Sequence, residues 1–285
     1  MSNLEPPAAL RLDQYVVQQL PAISRASGAK LIERGQVLVN GQAQTKASYR
    51  LKTTDVVTIE HDEAVHNQID ELQLPIIYED KSCVVINKPA GVLSHSKGAF
   101  NPEATVATWL ADKLTDMTGE RAGIVHRLDR ATSGVMICAK TSEALSWLQK
   151  QFSQRRVKKT YVAVVKGTPD KVRAIIDMPI ERNPKKPQTF RVGANGKSAT
   201  TEYRIMASSE RYSLLELKPT TGRTHQLRVH LQQLGHPIVG DVLYGGEPAE
   251  RLFLHAYQLE LTLPSKIRRT FSVVVPPEFE RLIEQ

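Results

Sequence analysis

One carboxylate lies among three potential cations in the stretch GIVHRLDRATSG, which spans residues 123–134. Asp129 is flanked by Arg127 and Arg130, and His126 precedes them. The apolar residues on both sides predict that HRLDR lies on a loop that feeds a β-strand, and loops on a rigid sheet often carry catalytic side chains. An isolated Asp beside Arg is more often a turn cap or a local ion pair, so this stretch needs support from elsewhere in the chain.

Two other segments carry side chains that could act on a polyanionic substrate. RRVKKTYVAVVKG puts Tyr161 at the head of a predicted strand, directly after four bases. TGRTHQLRVHLQQLG puts Arg223, His225 and Arg228 at the start of a predicted helix, behind a glycine turn. Residues three apart share a helix face, and the N-terminus of a helix favours phosphate groups. Taken singly, each also fits an ordinary strand aromatic or surface helix residue.

Several other kinds of site are excluded by spacing. GANGKS resembles a phosphate-binding P-loop, but the position that would need the first glycine holds Arg191. His225 and His230 are five residues apart, whereas a zinc-binding helix spaces its histidines four apart. The sequence also lacks the G-x-S-x-G pattern of a serine nucleophile elbow.

The composition is that of a globular protein with a basic bias. The chain has 285 residues, 41% of them hydrophobic, and a formal net charge of +8. Basic residues cluster in 154–159 and 181–191, and such clusters favour a polyanionic partner or are solvated loops. The two cysteines are too few for a structural zinc site or a disulfide framework. Because neither a membrane span nor a secretion signal is apparent, we expect a cytoplasmic protein.

Hydrophobic periodicity predicts two parts. In residues 11–60 we predict a helix in RLDQYVVQQL, a helix from Ser24 to Gly35, a hairpin at Asn40-Gly41 and a closing strand. Beyond an acidic linker, 61–74, strands dominate. We predict strands at 83–87, 134–140, 160–167, 199–207, 212–218, 252–263 and 270–275, and helices at 103–116, 142–154, 223–234 and 277–284.

This order of elements predicts an α+β fold rather than a strict alternation of strands and helices. The expected catalytic domain, residues 75–285, has a mixed, largely antiparallel β-sheet with flanking helices. A small α/β RNA-binding module, residues 11–60, precedes it.

Four segments together make the sequence similar to a known family. IIYEDKSCVVINKPAGVLSHS, GIVHRLDRATSGVMICAKT, KKTYVAVVKG and TGRTHQLRVHLQQLGHPIVGD occur in the order found in RluA-type RNA pseudouridine synthases. Residues 11–60 resemble the RNA-binding module of ribosomal small-subunit protein four. The resemblance implies isomerisation of uridine in RNA without a cofactor or a metal. The N1–C1′ bond breaks, the base rotates and a C5–C1′ bond forms.

The resemblance assigns catalytic roles to Asp129, Tyr161 and Arg228. An ionised Asp129 could attack C1′, stabilise an oxocarbenium-like centre or take a proton from the sugar. A cation within ~4–6 Å favours the ionised form, and the family pattern makes Arg228 that cation. Tyr161 would stack on the flipped uracil and remove the C5 proton, although a free tyrosine, with a pKa of about 10, would need help from a neighbour.

The remaining predicted residues contact RNA. Arg127 would fill the space that the flipped uridine vacates. The predicted phosphate contacts are Arg223, His225, Arg155, Arg156, Lys158 and Lys159, with Arg25, Lys30 and Arg34 on the second helix of the N-terminal module. We expect large-subunit ribosomal RNA as substrate, transfer RNA as the second choice, a monomer, and neither DNA nor a membrane as partner.

Two other classes of function stay open. One is a non-catalytic RNA-binding or ribosome-assembly protein on the same fold, although Asp129, Tyr161 and Arg228 are all present. The other is a metal-dependent nuclease or a glycosidase. A glycosidase of the two-carboxylate type needs a partner acid, and we identify no second acid in the three segments that carry Asp129, Tyr161 and Arg228.

Overall fold

A computed structural model describes residues 9–20, 25–59, 72–96, 103–119 and 121–284. The chain falls into two compact units. The first comprises the described parts of Met1–Leu72, His95–Trp109 and Thr118–Arg121, and the second comprises the described parts of Gln73–Ser94, Leu110–Met117 and Ala122–Gln285. Most of the predicted acidic linker, residues 61–71, lies outside the described residues. The predicted domain boundaries stay predictions.

Residues 9–59 of the first unit combine two helices with a three-stranded antiparallel sheet. The elements in this range are α1 (Leu12–Gln19), α2 (Arg25–Glu33), β1 (Val37–Val39), β2 (Gln42–Ala43) and β3 (Val57–Ile59). The strand order is β2-β1-β3. Leu12, Val16, Ile32 and Leu51 are fully or almost fully buried between these elements, so this unit has an apolar core of its own.

Two turn predictions in this unit are confirmed. Asn40 and Gly41 join β1 to β2 with φ of 54° and 78°, the left-handed conformation that a two-residue hairpin turn requires. Gly35 follows α2 with φ of 74° and donates its N–H to the carbonyl of Ile32, while Gln36 donates to Leu31. These bonds end the helix in a Schellman motif. The predicted N-cap, Ser24, lies outside the described residues.

The second unit is built on a nine-stranded sheet. The strands are β4 (Ile76–Glu79), β5 (Cys83–Lys88), β6 (Ser133–Ala139), β7 (Lys158–Lys166), β8 (Arg173–Asp177), β11 (Thr200–Ser208), β12 (Tyr212–Pro219), β13 (Leu254–Thr262) and β14 (Arg268–Ser272). Their order in the sheet is β4-β5-β6-β13-β7-β12-β11-β8, and β14 pairs with β13. A separate hairpin contains β9 (Ile180–Arg182) and β10 (Phe190–Val192).

Helices and short turns complete the chain. They are α3 (Val106–Leu110) with a 3₁₀ turn at Ala111–Lys113, α4 (Ser142–Ser153), α5 (Gln226–Gln233), a 3₁₀ turn at Val242–Tyr244, and α6 (Pro277–Ile283). Leu148 of α4 and Leu231 of α5 are fully buried, as is Phe279 of α6. Each of these helices therefore contributes to an apolar core of the second unit. None of the helices in the described part of the chain combines the length and apolar character that crossing a membrane requires.

Two strands of the large sheet run parallel where the chain leaves the GIVHRLDRATSG loop. β6 meets β13 through the pairs Ser133–His255 and Gly134–Ala256, while the other named pairs are antiparallel. Gly134 has φ of 116°, and a Cβ built there would lie 2.2 Å from the carbonyl oxygen of Ala256. Only glycine fits where β6 approaches the Ala256 backbone so closely, and this contact fixes the end of the loop against the centre of the sheet.

The predicted fold class, mixed and largely antiparallel with flanking helices, is confirmed. All seven predicted strands and the helices at 142–154 and 277–284 are present within a few residues. Two predicted helices are partly wrong. The one at 103–116 is helical only over Val106–Leu110 before a 3₁₀ turn, and the one at 223–234 begins at Gln226. Strands β4, β8, β9 and β10 were not predicted.

Candidate active site

The loop that carries Asp129 is held in place by side chains from the segment after β5. Ser94 donates its hydroxyl to the carbonyl of Leu128 at 2.7 Å and accepts the N–H of the same residue at 3.1 Å. Gly91 donates its N–H to the carbonyl of Arg130 at 2.8 Å. The backbone on both sides of Asp129 is therefore tied to one neighbouring segment, which limits where the carboxylate can point.

A buried lysine supports the same loop. The Lys88 side chain has no exposed surface, and its ammonium donates to the carbonyls of Pro89 and Val92 at 2.8 Å and of Arg130 at 3.3 Å. Burial lowers the pKa of Lys88 to about 8, while the charge of Asp129 acts in the opposite direction. Because it donates three hydrogen bonds to carbonyls, Lys88 connects the segment after β5 to the loop.

His126 attaches the loop to the sheet. Its Nε2 accepts the N–H of Ile137 in β6 at 3.2 Å, and its ring stacks on Phe152 with 4.6 Å between centroids. Burial lowers the pKa of His126 to about 3, so its ring is neutral at pH 7. The sequence indicated no chemical role for His126, and in the structure it connects the loop to β6 and α4.

Asp129 faces two groups that come from a segment about a hundred residues later. Nη1 of Arg228 lies 3.7 Å from Oδ2 of Asp129, and Nε2 of His225 lies 3.8 Å from the same oxygen. The Asp129 side chain is 20% exposed. The carboxylate is thus accessible from solvent and lies close to a permanent cation.

Arg228 is held by a second carboxylate. Nε and Nη2 of Arg228 donate to Oδ2 and Oδ1 of Asp241, each at 2.7 Å, in a bidentate pair. The guanidinium also lies over the Tyr244 ring, 4.8 Å from its centroid. The statement that the three segments hold no second acid is therefore wrong, because TGRTHQLRVHLQQLGHPIVGD ends with Asp241, which shares Arg228 with Asp129. Since both oxygens of Asp241 are bound to Arg228 and its side chain is 1% exposed, it is not free to act as a glycosidase carboxylate.

His225 precedes α5 instead of lying on its first turn. It adopts the left-handed conformation, with φ of 56°, as the N-cap of α5. The left-handed geometry turns its ring towards Tyr244, whose hydroxyl lies 2.7 Å from Nδ1, and places Nε2 near Asp129. Its predicted role as a phosphate contact stays a prediction, but its ring nitrogens face two side chains of the site.

Tyr161, the fourth residue of β7, lines the same cavity as Asp129, Arg228 and His225. This cavity has a volume of about 130 Å³ and is open to solvent. The pKa of Tyr161 is raised well above its usual value, first by burial and second by the charge of Asp129. The neighbours thus oppose ionisation of the hydroxyl instead of promoting it.

Besides His225, four of the predicted RNA contacts line this cavity or the one beside it. Arg127, Lys159 and Arg223 line it and also line an adjoining cavity of about 430 Å³, where Arg155 lies as well. Lys159 donates to the carbonyl of Thr221 at 2.7 Å, and burial lowers its pKa to about 8. A positively charged rim therefore borders the opening beside Asp129.

The other predicted contacts lie elsewhere. Arg156 is exposed and Lys158 pairs with Glu260 at 3.2 Å, and neither lines the two cavities. In the first unit, Lys30 and Arg34 are exposed, while Arg25 pairs with Asp13 at 3.1 Å. Among the described residues, no three side chains of the metal-binding types His, Cys, Asp and Glu are grouped closely enough to hold an ion.

Sequence reasoning missed Lys88, Ser94, Asp241 and Tyr244. A signal existed for Lys88, because a single charged residue ends the apolar run CVVIN. Asp241 ends the segment GHPIVGD that was part of the family pattern. Nothing local indicated Ser94 or Tyr244, whose partners lie 34 and 19 residues away.

Comparison with known proteins gives matches to two families. The RNA pseudouridylate synthase family matches residues 82–233, and the S4 domain family matches residues 10–57. A ribosomal large subunit pseudouridine synthase D from Borreliella burgdorferi is 38% identical over 95% of this chain and 88% of its own length. The protein of the same name from Escherichia coli K12 is 36% identical over 96% of this chain and 90% of its own.

A solved structure is similar as well. Human RNA pseudouridylate synthase domain containing 1 superposes with a TM-score of 0.60 at 28% identity, covering 75% of this chain and 86% of the human chain. The matched region 82–233 contains the loop of Asp129, the strand of Tyr161 and the helix of Arg228. This chain therefore belongs to the RNA pseudouridylate synthase family and carries an S4 domain in its N-terminal part.

Proposed function

We propose that this RNA pseudouridine synthase isomerises uridine in large-subunit ribosomal RNA, with Asp129 as the group that acts on C1′. The observation that carries the proposal is the open cavity in which the accessible Asp129 carboxylate faces Arg228 at 3.7 Å and shares the lining with Tyr161. A nucleotide can reach Asp129 only after leaving its stack, because a base inside a duplex hides C1′.

The proposed chemistry uses side chains of this chain alone. The flipped uridine enters the cavity, and the N1–C1′ bond breaks with its electron pair moving to the uracil. Asp129, which begins as a carboxylate beside the Arg228 cation, attacks C1′, stabilises the positive charge there or takes a sugar proton. The uracil rotates and C5 bonds to C1′; an Asp129–C1′ bond breaks in this step, and a sugar proton taken by Asp129 returns to the sugar. The C5 proton is then removed and N1 takes up a proton. The product is an isomer of the substrate.

Tyr161 is proposed to stack on the rotating uracil and to accept the C5 proton. The raised pKa of its hydroxyl keeps Tyr161 protonated in the free enzyme, so the phenolate that could take the C5 proton is scarce there. One of the two causes, the negative charge of Asp129, disappears if that carboxylate becomes bonded to C1′ or protonated. Loss of this charge lowers the pKa of Tyr161, so its hydroxyl can release its own proton and take the C5 proton more readily in the late steps than in the resting site.

The substrate proposal rests on relatives and on charge. The relatives named ribosomal large subunit pseudouridine synthase D are 36–38% identical over at least nine tenths of this chain. Arg127, Arg155, Lys159 and Arg223 are suited to hold the phosphates on either side of the target nucleotide. We further propose that the protein works as a cytoplasmic monomer without DNA or a membrane as partner, and transfer RNA is the alternative substrate.

Pseudouridine mapping identifies the substrate. Total RNA from cells that lack this gene is incubated with the purified full-length protein and with its Asp129→Asn variant. We expect new pseudouridines in large-subunit ribosomal RNA with the wild-type protein and none with the variant. Modification confined to transfer RNA would overturn the ribosomal assignment. Binding of RNA without any new pseudouridine would instead favour a non-catalytic RNA-binding protein.

A further inference from the structure

His225 occupies a position that its sequence context does not explain. Its side chain is 16% exposed, and its ring meets Phe190 and Tyr244 edge-on, with centroids 5.6 and 5.5 Å away. A non-glycine residue with φ of 56° at a helix N-cap is uncommon, because the left-handed conformation costs about 1–2 kcal/mol. This backbone geometry is what directs the ring into the cavity instead of along the helix axis.

Hydrogen bonding and charge favour one tautomer of His225. The Tyr244 hydroxyl oxygen accepts the N–H of Phe190 at 2.9 Å and lies 2.7 Å from Nδ1 of His225, so the hydroxyl can donate its single hydrogen to Nδ1. A proton on Nε2 faces the Asp129 oxygen 3.8 Å away, whereas a lone pair on Nε2 would be repelled by that carboxylate. Burial lowers the pKa of His225, which favours the neutral ring. We therefore assign the one proton of the neutral ring to Nε2, the nitrogen nearest to Asp129.

The two partners of Asp129 approach one and the same oxygen. Nε2 of His225 and Nη1 of Arg228 lie 3.8 and 3.7 Å from Oδ2. Both partners are hydrogen-bonded to side chains of one short turn: Asp241 binds Arg228, and Tyr244 binds His225. Distances in a free enzyme are often longer than in the complex, because catalytic hydrogen bonds tighten when the substrate excludes water.

We propose that His225 is a positioning residue for the pseudouridine reaction, in which its Nε2–H donates to Oδ2 of Asp129 and leaves Oδ1 to act on C1′. The inference rests on the proposed role of Asp129 and goes beyond it, because it assigns the two carboxylate oxygens different tasks. Tyr244 supports this role indirectly, because its hydroxyl donates to Nδ1 of His225 and so favours the proton on Nε2. A phosphate contact by His225 is the competing assignment, and it predicts an effect on RNA affinity instead of rate.

A pair of substitutions separates the two ring nitrogens. In His225→Gln the side-chain amide reaches the position of Nε2 and still offers a donor to Asp129, whereas in His225→Asn it stops near the position of Nδ1. The substrate is total RNA from cells that lack this gene, labelled with 5-tritiated uridine, and the readouts are single-turnover tritium release at saturating protein and the Kd for the same RNA.

We expect His225→Asn to slow single-turnover release about 10- to 100-fold, the effect of losing a hydrogen bond to a charged group. His225→Gln should stay within about 5-fold of the wild-type rate, since one donor is retained. The Kd should change less than about 3-fold in both variants, because no phosphate contact is lost. His236→Gln, which replaces a histidine bound to the backbone carbonyl of Lys166, is the control and should match the wild type.

Wild-type rates in both His225 variants would overturn the proposal, as would a raised Kd with an unchanged rate at saturation. If Asp129→Asn kept its activity as well, the proposed role of Asp129 would be wrong. If Asp129→Asn were inactive while His225→Asn reacted at the wild-type rate, only the proposed role of His225 would be wrong.

A measurement on the unmodified protein does not depend on the folding of any variant. Long-range ¹H–¹⁵N correlation spectra should show His225 as the Nε2–H tautomer, and an Nδ1–H tautomer would contradict the proposal.

Discussion

At the scale of single residues, the electrostatics of the site depend on how Arg228 is bound. A buried arginine is costly to desolvate unless its donors are satisfied. Asp241 satisfies Nε and Nη2 at 2.7 Å each, which leaves Nη1 directed towards Asp129 at 3.7 Å. The bidentate partner Asp241, rather than Asp129, therefore stabilises the buried cation. Asp129 consequently remains available for chemistry.

Tyr161 offers a test of the late steps of the reaction. Replacement by Phe keeps the ring that can stack on uracil and removes the hydroxyl that can take the C5 proton. We expect the rate of pseudouridine formation in Tyr161→Phe to fall by about 10²–10⁴-fold, the usual contribution of a general base, while the Kd for RNA stays within a few-fold. Rapid-quench analysis of products at saturating enzyme measures the rate.

The control for this prediction is Tyr203→Phe. Tyr203 is buried in β11 and lines neither cavity beside Asp129, so its loss should leave the rate unchanged. A Tyr161→Phe enzyme as fast as the wild type would assign removal of the C5 proton to another group and leave Tyr161 a stacking role alone.

At the scale of elements, the parallel pairing of β6 with β13 positions the loop that carries Asp129. The loop ends at Ser133, and the following residue lies against the backbone of Ala256 so closely that a side chain cannot fit. The opposite side of the loop is tied to Ser94 and Lys88. Asp129 thus lies between two fixed segments, and its direction follows from backbone packing as much as from its charged partners.

Gly134→Ala tests this positioning. The new Cβ would clash with the backbone of Ala256 and occupy a left-handed conformation, so we expect the free energy of unfolding to fall by about 3–5 kcal/mol. Gly235→Ala is the matched control, because Gly235 also has positive φ, 82°, but nothing lies within 4 Å of its Cβ position. For Gly235→Ala the free energy of unfolding should fall by about 1–2 kcal/mol. Urea unfolding measures the loss of stability in both variants. Equal losses would show that the contact with the Ala256 backbone does not destabilise Gly134→Ala.

The strands with long apolar runs and the two glycine turns of the first unit could be predicted from sequence, because local propensity and packing agree there. Strands β9 and β10 could not, since each has three residues and pairs within a polar hairpin. The start of α5 was placed three residues early because the left-handed conformation of His225 has no local signal. Helix 103–116 was overestimated because only Val106–Leu110 continues the α-helical pattern.

At the scale of the whole molecule, the site brings together segments that are far apart in the chain. The partners of Asp129 come from residues 225 and 228, and the turn that holds those partners lies at 241–244. Spacing within GIVHRLDRATSG favoured a local ion pair, and only the family pattern pointed to Arg228. Asp241 and Tyr244 needed the three-dimensional structure, because their partners depend on how the chain folds around α5.

Buried histidines make the stability of the protein depend on pH. His255 is 1% exposed, and burial followed by the charge of Arg251 lowers its pKa to about 4. The folded state keeps it neutral while the unfolded chain protonates it below pH ~6.5, so stability is complete above pH ~6.5 and is lost as the pH falls towards 4. For this one residue the loss is about 3 kcal/mol at 1.36 kcal/mol per pKa unit.

His255→Asn removes this titration and keeps a polar atom near the position of Nδ1, which contacts Ser133 at 2.7 Å. We expect the variant to be less stable at pH 7, yet its free energy of unfolding should change less between pH 6.5 and 4 than that of the wild type. Urea unfolding across this pH range measures both slopes, and identical slopes would show that His255 does not titrate between the two states.

Single-turnover conversion of uridine by Asp129→Asn tests the central claim most directly. The substrate is total RNA from cells that lack this gene, the protein is at saturating concentration, and thermal unfolding and the Kd for RNA establish that the variant folds and binds. If Asp129 acts on C1′, the variant binds RNA with a Kd within a few-fold of the wild type and forms no detectable pseudouridine. Pseudouridine formation at a rate comparable with that of the wild type would contradict the account.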